Sequence, residues 1–94
     1  MATFIMNGRY SHEAVKQISA ERHHKVDELL KKFGGKMKGE FCMLGEKDVL
    51  FIVELPGARE ALQLSVALSK MTGIAFTTSE AVTVQEFLEL MAEI

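Results

Sequence analysis

The chain has 94 residues, enough for one domain and too few to bury a large core, so association with a partner would help it. Eleven lysines and arginines face thirteen aspartates and glutamates, a formal net charge of −2, which leaves no basic footprint for nucleic acid. The single cysteine, Cys42, excludes an internal disulfide framework. No apolar run approaches the ~18 residues needed to span a bilayer.

The N-terminal run Met-Ala-Thr-Phe-Ile-Met lacks the charged and long apolar regions of a secretory leader. A lone thiol fits a reducing compartment, so the expected location is cytoplasmic.

Thr3–Arg9 is dense in apolar residues and is predicted as a first strand. Ser11 offers a helix cap, with Glu13 in the first turn, where its charge suits the helix dipole. Val15, Ile18, Val26, Leu29, Leu30 and Phe33 recur at helical spacing. The pattern weakens around Ser19–His24, which predicts a kink or a short helix followed by a longer one. Gly34-Gly35 ends this helical stretch.

From Lys36 to Leu44, Met37, Gly39, Phe41 and Met43 alternate with Lys38, Glu40, Cys42 and Leu44, the pattern of a half-exposed edge strand. Gly45–Asp48 is a hairpin connection. Val49–Val53 is an unbroken apolar run before Glu54. Pro56 closes that strand and opens a second helix, for which Ala61, Leu62, Val66 and Leu68 supply the expected buried stripe. Gly73 caps that helix, and Ile74–Ser79 is a short fourth strand. Thr83-Val84-Gln85-Glu86 reads as a capping box before a terminal helix carrying Phe87, Leu88, Leu90 and Met91.

The order β-α-β-β-α-β plus a helix gives an α+β fold of ferredoxin-like type, a single domain over residues 1–94 with an antiparallel four-stranded sheet. Both main helices then lie on one side of the sheet. A self-sufficient sheet of this kind should alternate apolar and polar. Phe4-Ile5-Met6 and Val49–Val53 do not, so both faces carry bulk. Leaving one open would expose an apolar patch larger than monomers normally carry. A homodimer through the sheet face is expected, with the terminal helix able to cover only part of it.

The chain resembles the GYD-domain family of the dimeric α/β-barrel superfamily. The segments that carry the resemblance are Tyr10-Ser11, Phe33-Gly34-Gly35-Lys36, Leu44-Gly45-Glu46-Lys47-Asp48-Val49, and Glu54 with Pro56. In the hairpin element that names the family, Gly45 and Asp48 match and Lys47 stands where a tyrosine is expected. The resemblance implies a ferredoxin-like protomer that pairs into a barrel. It does not imply one activity, because the wider superfamily includes cofactor-free monooxygenases, haem-degrading enzymes, isomerases and amino-acid-sensing domains. The haem-degrading members pair a strand-one asparagine with a tryptophan and a helical histidine. This chain has Asn7 but no tryptophan, and no histidine after His24.

Among individual residues, Asn7 lies on the more polar face of the first strand with Thr3, Ile5 and Arg9, opposite Phe4, Met6, Gly8 and Tyr10. That polar-speckled face is assigned to an inter-subunit cavity, where the Asn7 amide would orient a ligand or be satisfied across the dimer. Arg9, Tyr10 and His12, at the junction of strand and helix, are further ligand-binding candidates, against a simpler role in packing for Tyr10 and exposure for His12. His23 and Asp27 have i,i+4 spacing, a pair more often found on a solvated helix face than around a metal. Cys42 fits edge packing rather than nucleophilic catalysis. No metal or cofactor is assigned. Two functions remain: a homodimeric ligand-binding or interaction domain with an inter-sheet cavity, holding a small apolar ligand, or a cofactor-independent monooxygenase or isomerase acting on a small apolar or aromatic substrate.

Overall fold

The apolar density of the first strand and of the Val49–Val53 run builds the centre of the sheet. The computed structural model describes residues 1–94. Its elements are β1 (Ala2–Tyr10), α1 (His12–Lys16), α2 (Ala20–Lys32), β2 (Lys36–Cys42), β3 (Val49–Leu55), α3 (Ala58–Thr72), β4 (Ile74–Ala81) and α4 (Val84–Ala92). The four strands form one antiparallel sheet in the order β2-β3-β1-β4, so the two most apolar strands are central, as expected for a ferredoxin-like α+β fold.

The register sorts β1 and β3 into two faces. Phe4 opposite Val53, Met6 opposite Phe51 and Gly8 opposite Val49 lie under the helices and are buried. Ile5 opposite Ile52 and Asn7 opposite Leu50 lie on the other face, which no helix covers. Val26 and Leu30 of α2 and Ala61, Leu64 and Leu68 of α3 complete the core over the first face.

The interruption around Ser19 divides the first helical stretch into α1 and α2. Ser11 and Ser19 each accept a hydrogen bond, from the Ala14 and Arg22 N–H groups, both at 3.0 Å. Val15 and Ile18 stay largely exposed, and Ala14 is the buried residue of α1. α2 ends as the glycines require. The Gly35 N–H donates to the Leu30 carbonyl and the Gly34 N–H to that of Lys31, with Gly34 left-handed at φ +77°, a Schellman motif. Gly35 has a second reason to lack a side chain, since a Cβ there would meet Leu30 Cδ1 and Leu55 Cδ2 at 2.6 Å and the Glu54 carbonyl at 3.0 Å.

Two stripes differ from expectation. In α3 the buried positions are Ala61, Leu64, Leu68 and Thr72, whereas Leu62 and Val66 are 68% and 52% exposed. At about 100° per residue, Leu62 and Val66 fall about 100° and 140° round the helix from Ala61, on its outer side. In β2 a register shift between Met37 and Gly39 breaks the alternation. Met37 pairs with Val53 on the helix side, but Glu40 pairs with Phe51 and Cys42 with Val49 on that same side, while Gly39 and Phe41 turn to the open face.

The hairpin acid is a tie. The Asp48 carboxylate accepts from the Tyr10 N–H at 2.8 Å, and the Asp48 N–H donates to the Gly8 carbonyl at 2.9 Å. Asp48 thus clamps the β2–β3 connection to the end of β1. α4 starts at Thr83, whose hydroxyl accepts from the Glu86 N–H at 3.1 Å, the hydroxyl half of the expected box. None of its residues is buried, so it does not cover its own sheet.

Asp48→Ala is expected to lower the unfolding free energy by about 1–2 kcal/mol in urea denaturation followed by circular dichroism, since it orphans the Tyr10 N–H. Asp48→Asn keeps an acceptor oxygen and should lose less. Gly35→Ala is expected to cost about 1–3 kcal/mol in the same measurement, through overpacking against Leu30 and Leu55.

Candidate functional site

The end of the sheet where β1, β3 and β4 run under the α1–α2 turn is loosely filled. Gly8 has no room for a side chain there, since a Cβ would meet Val49, Ile74 and Phe76 at 2.6, 2.7 and 2.9 Å. Beside these three residues lies a cavity of about 210 Å³ on the helix side. Its apolar lining includes Val26, Val49, Phe51, Ile74 and Phe76, and the Phe51 and Phe76 rings lie 5.7 Å apart. An apolar body with a few polar groups at the rim is the usual make-up of a small-molecule pocket.

Tyr10 and Arg22 supply polarity at one side. The Arg22 guanidinium sits 5.7 Å from the Tyr10 ring centroid and donates to the Ala14 carbonyl at 2.6 Å, so it fastens α2 to α1 and to the end of β1. Thr72 lies deeper and is satisfied, donating to the Leu68 carbonyl and accepting from the Ile74 N–H. At the other side stand His23, Glu40 and Cys42. A second depression, about 440 Å³ between α3 and β4, is more open to solvent and is crossed by a 2.7 Å hydrogen bond between the Ser65 and Thr78 hydroxyls.

The four residues singled out from sequence do not converge within one chain. Tyr10 lines the helix-side cavity, packed partly against the core. Asn7 is half-buried on the open face of the sheet, beside Leu50 and Thr77. Arg9 is exposed opposite Ala75 on that face, and His12 is exposed on α1. The helix-side cavity of a single chain therefore lies on the opposite side of the sheet from Asn7.

Three cavity residues escape a one-dimensional reading. Arg22 looks like any charged residue in a first helical turn. Phe76 belongs to a short strand with no strong alternation. Glu40 reaches the helix side only because of the irregularity in β2, which brings it to His23, the two side chains meeting at 3.3 Å. His23 lies 4.0 Å from Asp27, the partner that its spacing suggested.

No helix is long and apolar enough to cross a membrane. No curated protein sequence matches the chain. Among solved structures it is similar to the leucine response regulatory protein of Mycobacterium tuberculosis, with a TM-score of 0.58 and 8% identity. That match covers 88% of this chain and 51% of the regulator, so the chain spans about half the length of that protein. At this identity the likeness is one of fold. The GYD domain family model matches residues 4–91, nearly the whole sheet and every helix, and the chain belongs to the GYD domain family.

Proposed function

We propose that the chain is a homodimeric binding module for a small apolar ligand, two copies pressing their open sheet faces together. The observation that carries this reading is the uncovered face, on which Ile5, Ile52 and Leu50 surround Asn7 and which Phe41, 56% exposed, extends towards the edge. A sheet apolar on both sides with helices on one side needs a second cover.

α4 supports the same reading. Val84, Phe87, Leu88 and Met91 make one apolar stripe at helical spacing, and none of them is buried within the chain. In a two-fold pair each α4 would have the partner's surface to pack on, and Asn7 from both copies would meet at the interface. The helix-side cavity supports the ligand part of the proposal, because its lining is apolar and its rim holds only a few polar side chains. That a structural neighbour is a leucine response regulatory protein makes apolar amino acids a sensible start for a ligand panel, alongside quinols, haem and acyl compounds.

Light scattering after size exclusion is expected to give twice the chain mass at micromolar concentration. Ile52→Lys or Leu50→Glu should shift that mass to one chain while leaving the helical circular dichroism signal intact, because a charge on this face would have to be buried in the dimer. A wild-type chain that runs as a monomer would sink the dimer.

Ligand binding has its own readout. The chain has one tyrosine and no tryptophan, so Tyr10 emission reports directly on the cavity. A ligand present at 100-fold its Kd should raise stability by about 2.7 kcal/mol and change that emission. A panel that moves neither melting temperature nor emission counts against the binding module.

A further inference from the structure

The gap between α2 and β2 brings three side chains to one point. His23 and Asp27 stand one turn apart on α2, and Glu40 arrives from β2. His23 Nε2 lies 3.3 Å from Glu40 Oε2 and 4.0 Å from Asp27 Oδ2. The three donor atoms all lie within 4.8 Å of one another. Two carboxylates therefore share a single imidazole, and no lysine or arginine pairs with either of them.

Half-exposed pairs of this kind contribute little to stability. The spacing suits a cation. Tetrahedral coordination at about 2.0–2.2 Å separates neighbouring donor atoms by about 3.3–3.6 Å. The His23–Glu40 separation already falls there, and Asp27 needs only a small side-chain adjustment.

The geometry points to a site for a first-row divalent transition cation, of the Zn²⁺ or Mn²⁺ class, held by His23, Asp27 and Glu40. One imidazole nitrogen with two carboxylate oxygens selects such ions over Mg²⁺ and Ca²⁺, which favour all-oxygen shells. Three protein donors leave coordination positions free, as in metal sites that bind a further ligand. His23 and Glu40 are also part of the cavity wall. A cation held by them stands where it can accept an oxygen or nitrogen donor carried on an apolar body, which names a ligand class for the cavity. That last step rests on the binding-module reading; the cation site itself does not. It lies on the helix side of the sheet, away from the proposed dimer face.

The test is calorimetric titration of the EDTA-treated, dialysed full chain with ZnCl₂, paired with CoCl₂ titration read by visible absorption. One ion per chain with a micromolar Kd is expected. His23→Ala, Asp27→Asn and Glu40→Gln should each weaken binding by at least about ten-fold and remove the Co²⁺ bands, while His12→Ala and His24→Ala leave both unchanged. All three ligating side chains are partly exposed, so the metal-free variants are expected to melt at the wild-type temperature. Absence of saturable binding below about millimolar metal would overturn the site. So would binding that survives Glu40→Gln but is lost in Cys42→Ser, or a stoichiometry of one ion per two chains. Either result leaves the oligomeric state, measured separately, as the test of the dimer.

Discussion

A single layer of helices can cover only one face of a four-stranded sheet, and this chain fills both faces of its two central strands with apolar residues. Met6, Val53 and Leu55 are sealed beneath α2 and α3. Their neighbours Ile5, Ile52 and Leu50 necessarily point the other way, because successive residues of a strand alternate. Alternation would allow polar residues there; the chain places apolar ones instead, so the side the helices leave open is apolar too. A small domain gains when such a face is buried against a partner. α4 belongs to the same pattern, as none of its apolar residues is buried within the chain.

The chemistry gathers at one end of the molecule for a connected reason. Asp48 ties the β2–β3 hairpin to the last residues of β1. Arg22 ties α2 to α1 and stacks near Tyr10 at the same end. These two clamps hold together the elements that wall the cavity. Lys47 lies beside the clamp, and the tie itself is made by Asp48 through its carboxylate and its N–H.

Most of the architecture was legible in the sequence because it rests on local signals. The break at Ser19, the double glycine after Phe33, the apolar run from Val49 and the Thr83 cap all announce themselves within a few residues. What was not legible depends on contacts remote in sequence. Leu62 and Val66 look as suitable for the core as Leu64, and only the direction in which α3 meets the sheet separates them. The face of Glu40 is set by an irregular pairing with β3, which the simple alternation Met37, Gly39, Phe41 conceals. Asn7 stands on the more polar face and Tyr10 on the other, as a period of two along an uninterrupted strand such as β1 dictates. Their separation to opposite sides of the sheet follows from that same period.

The irregularity in β2 also bears on how the molecule meets copies of itself. β2 is an outer strand, with one row of backbone donors and acceptors left without a strand partner. An even, flat strand there would be a template for end-to-end growth of the sheet. The shift after Met37 spoils the even spacing that such growth needs, and Lys36 and Lys38 place positive charge along the rim. Two copies approaching rim to rim would bring like charges together at a mismatched ladder. Open-ended stacking along this edge is thereby disfavoured, and a two-fold pair of the proposed kind, formed through the broad apolar face, would leave the edge free.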